Sequence, residues 1–153
     1  MDVNLAAPPC SPVLDLCFDA TFEAVSQAGD RLAPLLNFHF GEERGVQLRL
    51  GIIEAMTNVV EHGCAGREGG YLHLLAEAGM DQWCFTLTDN GRPIPRDAIM
   101  AADGSVFDFD PKAISELPEG GMGLSLIQMV FDQVDYKVAV SSNRLLLTAY
   151  LSA

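Results

Sequence analysis

Two pairs of segments in which apolar and polar residues alternate, each pair joined by a short turn, limit how this chain of 153 residues can fold. The four segments span residues 71–77, 82–88, 134–140 and 144–151. Alternation predicts strands with one buried face, and the short connections predict that each pair is an antiparallel hairpin. Strands connected in this way do not form a doubly wound parallel sheet. We therefore expect an α+β fold, a two-layer α/β sandwich in which helices cover one face of a mixed, mostly antiparallel sheet.

The other periodic segments predict one further strand and three helices. Residues 12–18 alternate and predict the first strand. Thr21 is placed to cap a helix over about 22–36, and apolar residues recur at helical spacing over 41–63. A third helix is predicted over 123–132, where most residues are apolar. This helix is therefore expected to be well buried.

The composition is that of one compact domain, with 49% apolar and 20% charged residues. We expect a flexible N-terminal leader over 1–11 and a single domain over 12–153. Within the domain, residues 92–118 lack sustained periodicity, which is typical of a functional lid.

The first twenty residues lack the basic and apolar regions of a signal peptide, and no window approaches the roughly 18 apolar residues of a membrane span. A cytoplasmic protein is expected.

The charge balance limits the kinds of partner. Twenty-one acidic and nine basic residues give a net charge of −12, which repels nucleic acid and anionic membranes. We therefore expect no direct nucleic-acid or membrane partner.

The four cysteines contain no C-x-x-C pair, which favours buried or unreactive thiols over zinc sites or disulfides. His39 and His73 have no carboxylate or cysteine at ligand spacing, so metal binding there is not expected.

Glu54 and Asn58 lie four residues apart in the second predicted helix, so their side chains are neighbours about one turn apart. The amide oxygen of Asn58 suits one position in the octahedral coordination of Mg²⁺, with water and phosphate oxygens in the others. Glu54 suits the role of a base that accepts a proton from an attacking hydroxyl or orients it. Taken alone, the pattern also fits two polar residues on a solvated helix face.

Two clusters that contain glycine follow this helix. Asp89 ends a predicted strand, where its carboxylate can accept a hydrogen bond from the exocyclic amine of adenine, and Gly91 allows the backbone to approach a flat base. Gly120, Gly121 and Gly123 open a helix whose first N–H groups can bind phosphates. The alternatives are a plain Asn-Gly turn and an ordinary helix start. In this order, the three clusters supply the parts of an ATP site without a P-loop.

This order of motifs resembles the GHKL ATPases, the superfamily of gyrase, histidine kinases and MutL. The chain looks most like the stand-alone anti-sigma-factor serine/threonine kinases of bacterial partner-switching systems. The resemblance rests on Glu54-Ala-Met-Thr-Asn-Val-Val-Glu-His-Gly63, Leu87-Thr-Asp-Asn-Gly91 and Leu117-Pro-Glu-Gly-Gly-Met-Gly-Leu-Ser-Leu-Ile127. It extends over most of the chain and implies the Bergerat ATP-binding fold, with ATP and Mg²⁺ as cofactors.

The resemblance also implies roles for the residues that match the family motifs. Glu54 would be the catalytic base, Asn58 the Mg²⁺ ligand and Asp89 the adenine anchor. The residues expected to contact the nucleotide are Asn58, His62, Asp89, Gly91, Gly120, Gly121, Met122, Gly123 and Leu124. For His62 the alternative is a hydrogen-bonded structural histidine.

The family implies partners as well. A homodimer would hold a sigma factor in one state and an anti-anti-sigma protein of the STAS type in the other. Phosphorylation of a Ser or Thr on that antagonist would release it and free the kinase to bind the sigma factor again.

Three departures from the family pattern bear on this expectation. Pro93 stands where the adenine motif commonly has its second glycine, and Asn143-Arg144 stands where relatives often have Gly-Thr. Pro118 takes the place of an arginine that can neutralise transferring phosphate, with Arg92 and Lys112 as possible replacements. Two alternatives therefore stay open. One is an ATP-binding partner-switch module with little kinase activity, and the other is a switch kinase that acts on a scaffold without binding sigma.

Overall fold

The computed structural model describes residues 10–95 and 122–151, which form five strands, three α-helices and one π-helical turn. The strands are β1 (Ser11–Asp19), β2 (Tyr71–Ala78), β3 (Gln82–Asp89), β4 (Gln133–Val138) and β5 (Asn143–Tyr150). The helices are α1 (Phe22–Phe40), α2 (Glu42–Asn58) and α3 (Met122–Val130), and the π-helical turn Val59–Gly63 directly follows α2. Each predicted element is present, with small shifts at the ends.

The five strands form one sheet in the order β1-β2-β3-β5-β4. All four pairings are antiparallel, including both predicted hairpins. In this register Asp89 at the end of β3 lies between Leu72 of β2 and Asn143 of β5. The predicted two-layer α+β sandwich is confirmed, and the ends of three neighbouring strands meet at Asp89.

Alternate residues of the central strands point to the helical layer and form the core. From the sheet these are Leu72, Leu74, Ala76, Trp83, Phe85, Leu87, Leu145, Leu147 and Ala149. From the helices the largest fully buried side chains are Leu32, Leu36, Leu48, Ile52, Met56 and Ile127. Burial of each large apolar side chain contributes about 1.5–3 kcal/mol relative to leaving it exposed. The core therefore fixes the helices on one face of the sheet.

The start of α1 agrees with the sequence, but its end does not. The Thr21 hydroxyl accepts a hydrogen bond from the backbone N–H of Ala24 over 3.1 Å, as expected for an N-terminal cap. The helix then continues through Pro34 to Phe40, four residues beyond the predicted end at Leu36. The Phe40 ring packs edge-on against buried Trp83, with ring centroids 5.5 Å apart, which stabilises the last turn.

Close packing between α2 and α3 positions one wall of the site. A Cβ atom on Gly51 would lie 2.8 Å from Val130 Cγ2 and 2.9 Å from Phe131 Cε2. Any larger residue at position 51 would push α3 away from α2. Gly51 is therefore needed for the close approach of these two helices.

Two predicted regions lie mainly outside the described residues. Of the leader 1–11, only Cys10 and Ser11 are described, and Ser11 already belongs to β1. Of the predicted lid 92–118, only residues 92–95 are described. None of the helices within 10–95 and 122–151 combines the length and the apolar character needed to span a bilayer.

Candidate functional site

A cavity of about 400 Å³ opens where the end of α2, the ends of β3 and β5, and the start of α3 meet. Four of the predicted site residues line it, namely Asn58, His62, Asp89 and Leu124. Its remaining walls are mostly apolar and include Ala55, Val59, Leu87, Ile127 and Leu145. Such a cavity suits a flat apolar ligand that carries a few polar groups on its edge.

Asp89 is the buried polar group of this cavity, with 6% of its surface exposed. Its Oδ1 atom accepts two hydrogen bonds, from the backbone N–H of Gly91 over 2.7 Å and from Nδ2 of Asn143 over 3.0 Å. Within the described residues no donor reaches Oδ2, which is the acceptor left for a ligand. Burial raises the pKa of the Asp89 carboxyl, and the hydrogen bonds from Asn143 and Gly91 oppose this shift.

Asn143 was noted in the sequence only as a departure from the family pattern, yet it is buried and holds the site together. Its Nδ2 group donates to the carbonyl of Gly91 over 2.8 Å as well as to Asp89. Both N–H bonds of this amide are therefore used, and the carboxylate and the Gly91 turn are fixed to β5. Because Asn143 pairs with Asp89 across the sheet, only the register of the distant second hairpin reveals this contact.

Gly91 was expected to contact a ligand, but in the structure it packs closely against the backbone of Gly63. A Cβ atom at this position would lie 2.6 Å from the carbonyl carbon of Gly63, so a side chain cannot be accommodated there. The next residue, Arg92, donates its backbone N–H to the Gly63 carbonyl over 2.7 Å. Gly91 does not line the cavity itself, but lets the segment after β3 pack against the end of the π-helical turn.

The π-helical turn after Asn58 was not predicted, although the helical segment ends at Gly63 as expected. Turns of this kind are rare and occur frequently at functional sites. The turn presents His62 to the cavity, with 65% of its side chain exposed. The nearest carboxylate in the described residues is that of Glu61, 3.7 Å away. His62 is thus an exposed group at the cavity mouth rather than a buried structural histidine.

Glu54 stands apart from the groups that line the cavity. It lies one turn before Asn58 on the same helix, but only Asn58 is among the residues that line the cavity. The Glu54 side chain is partly exposed, and its pKa is raised by partial burial and by the nearby Glu61 carboxylate. Among the described residues, the predicted base is therefore not part of the cavity lining.

The segment after Gly91 forms one side of the cavity, together with a tyrosine that the sequence did not single out. Pro93, Ile94 and Pro95 line the cavity, and the Ile94 N–H donates to the Tyr136 hydroxyl over 2.9 Å. Burial raises the pKa of Tyr136, which therefore stays protonated. This contact ties the segment to β4.

The glycine cluster is only partly described. Gly120 and Gly121 lie outside the described residues, as do Pro118 and Lys112, and Met122 and Gly123 form the first residues of α3. Leu124 follows them, is buried and lines the cavity. The start of α3 is therefore next to the cavity, as the sequence predicted.

A sequence profile of the histidine kinase-like ATPase domain matches residues 18–149, most of the chain. The chain belongs to the histidine kinase-like ATPase domain family. This membership confirms the predicted GHKL resemblance. The matched range includes α1 to α3, the π-helical turn, β2 to β4 and most of β5.

Three curated relatives carry the name serine-protein kinase RsbW. The one from Halalkalibacterium halodurans is 36% identical over 90 residues, which cover 59% of this chain and 53% of the relative. The one from Bacillus pumilus is 30% identical over 99 residues, covering 58% and 54%. The one from Oceanobacillus iheyensis is 28% identical over 95 residues, covering 62% and 59%. The chain thus spans somewhat more than half the length of these relatives.

Two solved structures share the fold. The histidine kinase domain of the blue-light-activated kinase EL346 from Erythrobacter litoralis gives a TM-score of 0.54 at 18% identity, covering 83% of this chain and 61% of that one. The nucleotide-free catalytic domain of the histidine kinase ThkA gives 0.52 at 11% identity, covering 91% and 97%. At these identities the similarity establishes the architecture, and the site chemistry has to be argued from the residues.

Proposed function

We propose that this chain is an ATP-dependent serine/threonine protein kinase that also acts as an anti-sigma factor. The observation that carries the proposal is the Asp89 carboxylate, fixed by Gly91 and Asn143 at the buried end of an apolar cavity. We infer ATP binding from the site, kinase activity from Glu54 and from the similarity to proteins named serine-protein kinase RsbW, and sigma binding from the motif resemblance alone.

Adenine fits the cavity on chemical grounds. Its flat rings match the apolar walls, and its exocyclic amine is a donor for the free Oδ2 acceptor of Asp89. Guanine carries an acceptor oxygen at the same ring position, which an ionised carboxylate repels. The cavity therefore favours adenine over guanine nucleotides.

Asn58 and His62 line the cavity together with Leu124 near the start of α3, and we expect the phosphates to bind beside these residues. No group of three His, Cys, Asp or Glu residues within 10–95 and 122–151 is placed to hold a metal ion. The proposed protein ligand of Mg²⁺ is the neutral Asn58 oxygen, and phosphate and water would fill the other positions. When bound, this ion neutralises charge on the phosphates.

Glu54 is the proposed base. Its position outside the cavity suits contact with an acceptor hydroxyl on a second protein, because that hydroxyl arrives from solvent. Its raised pKa makes the carboxylate a stronger base than an ordinary glutamate. Glu54 would accept the proton of the Ser or Thr hydroxyl as the phosphoryl group is transferred.

The proposed partners come from the same family. They are a sigma factor and a STAS-domain anti-anti-sigma protein, bound by a homodimer in the cytoplasm. Phosphorylation of the antagonist would release it and return the dimer to the sigma factor. A binding module that uses ATP only to set its conformation is the second candidate, favoured because Glu54 is not among the described residues that line the cavity.

Calorimetry tests the nucleotide site directly. Wild-type protein should bind ATP more tightly with Mg²⁺ than with EDTA, and Asn58→Ala should abolish that difference while it retains the EDTA-resistant affinity. Wild-type protein that binds no ATP under either condition would contradict the proposed function.

A further inference from the structure

A second concave surface shares Arg92 and Pro93 with the cavity. It lies between the loop that carries Arg67, the segment 90–93 and the turn 138–143, and has a volume of about 550 Å³. We call it the arginine groove. It is open to solvent and adjoins the edge strand β4.

The groove carries positive charge, and the buried Asp89 carboxylate, on which Arg67 acts, is not part of its described lining. Arg67 and Arg92 both line it and are exposed, whereas its described lining includes no Asp or Glu. Nη1 of Arg92 donates to the carbonyls of Ala65, over 3.0 Å, and His62, over 3.4 Å. Among residues 10–95 and 122–151, neither guanidinium forms an ion pair with a carboxylate.

This positive charge is unusual for the chain, whose net charge is −12. Two more of its nine basic residues, Lys137 and Arg144, pair across β4 and β5 next to the groove. Lys137 has Asp135 3.9 Å away, and Glu68 follows Arg67 outside the lining. The groove is therefore a local basic surface on an acidic protein, which attracts an acidic ligand that the rest of the surface repels.

We propose that the arginine groove binds an acidic segment of a partner protein. Guanidinium groups pair with carboxylates through two parallel hydrogen bonds, which gives geometric specificity as well as affinity. Val138 and Val140 are exposed on the same wall and offer apolar contacts beside the charges. A segment in which Asp or Glu alternates with aliphatic residues matches this surface. A nucleic-acid strand matches it less well, because the net charge of −12 opposes so extended a polyanion.

Arg92 connects this groove to the nucleotide site. Its side chain holds the carbonyls of His62 and Ala65, and its backbone N–H bonds to Gly63, so one residue supports the end of the π-helical turn. A carboxylate that binds the Nη2 and Nε groups of Arg92 would share one guanidinium with these carbonyls, so movement of the side chain would shift the turn that carries His62. Partner and nucleotide binding would then be coupled, and the coupling is reciprocal by thermodynamic linkage. This coupling rests on the proposed function, whereas the groove itself does not.

Site-resolved NMR without nucleotide tests the groove. The ¹⁵N-labelled chain is titrated with a capped hexapeptide of alternating Glu and Val, and with a Lys-Val peptide as the control. The Glu-Val peptide should cause saturable shifts confined to position 67, segment 90–93 and turn 138–143, and the Lys-Val peptide should cause none. Arg67→Glu should weaken binding by about tenfold or more, as expected for loss of a close charge pair.

Arg31→Glu is the matched control, because it makes the same charge change at an exposed position on α1. It should leave the affinity within about twofold, since Arg31 does not line the groove and an exposed charge without direct contact contributes little. The absence of saturable shifts in the groove, or equal loss of affinity in both variants, would overturn the proposal. Because no ATP is present, failure of this titration is distinct from failure of the calorimetric test of the nucleotide site.

Discussion

The side-chain amide of Asn143 donates to the Asp89 carboxylate over 3.0 Å and to the Gly91 carbonyl over 2.8 Å. Asn143 is almost fully buried, and it lies opposite Asp89 in the β3–β5 register. One side chain therefore fixes both the predicted adenine anchor and the turn that follows it. It does so from a position that the sequence marked only as a departure from the family pattern.

Replacing this amide should weaken nucleotide binding and stability together. Asn143→Ala leaves two acceptors without their buried donor, so we expect a loss of about 1–3 kcal/mol in unfolding free energy. ATP affinity should fall by about tenfold, because Asp89 is no longer held in place. Asn143→Thr keeps one hydroxyl donor and should recover part of both losses. Urea unfolding and calorimetry with ATP check this, and an Asn143→Ala variant with wild-type ATP affinity would show that Asn143 does not position Asp89.

Asp89→Asn should weaken ATP binding while it keeps the two hydrogen bonds that hold this side chain in place. The new amide oxygen still accepts from Gly91 and Asn143, but an N–H donor replaces Oδ2 and opposes the amine of adenine. ATP affinity should fall by about tenfold or more, and the preference for adenine over guanine nucleotides should weaken. Competition binding with ATP and GTP measures both effects. An unchanged preference would contradict the assignment of Asp89 as the adenine anchor.

The same variant should change how stability depends on pH. The folded-state pKa of Asp89 is raised, so its contribution to stability is fully present below the unfolded-state pKa of about 3.9 and is lost as pH rises through the folded-state pKa. Asp89→Asn should therefore gain stability relative to wild type as pH increases from 4 to 8. Urea unfolding across this range measures the difference, and a constant or falling difference would contradict the raised pKa.

Tyr136→Phe tests the segment that forms one side of the cavity. The variant keeps the ring but removes the acceptor for the Ile94 N–H, which should cost about 1 kcal/mol in unfolding free energy and weaken ATP binding a few-fold. Tyr150→Phe is the control, because Tyr150 is exposed and does not line the cavity. Equal effects of the two substitutions would indicate that the Tyr136 hydroxyl has no specific role at the site.

The sequence predicted the fold well because the fold depends on local patterns. Period-two alternation identified both hairpins, and Thr21 identified the start of α1. The end of α1 was wrong by four residues, because the aromatic contact between Phe40 and Trp83 extends the helix beyond the predicted end. The π-helical turn was missed as well, since it has the same apolar pattern as an ordinary helix.

Contacts made across strands could not be read from residue spacing. The Asn143–Asp89 hydrogen bond depends on the β3–β5 register, and so joins residues that are distant in the chain. His73 is a second example, because the sequence offered no carboxylate or cysteine at ligand spacing. In the structure His73 lies opposite Cys17 and contacts Asp15 over 2.6 Å, both on the neighbouring strand β1. Motifs thus indicated candidate site residues, whereas strand register determined which side chains are in contact.

Phosphate transfer is the most direct test of the proposed kinase. Wild-type protein and Glu54→Gln are incubated with Mg²⁺, γ-labelled ATP and purified STAS-domain proteins from the same organism, with Glu43→Gln as a control for the charge change on α2. Wild-type and Glu43→Gln proteins should label one STAS-domain protein on Ser or Thr. Glu54→Gln should bind ATP within a few-fold of wild type but transfer phosphate about 10²-fold more slowly, the typical contribution of a general base. If wild-type protein binds ATP and alters partner exchange but labels no partner, the kinase assignment is contradicted and the chain is a binding module.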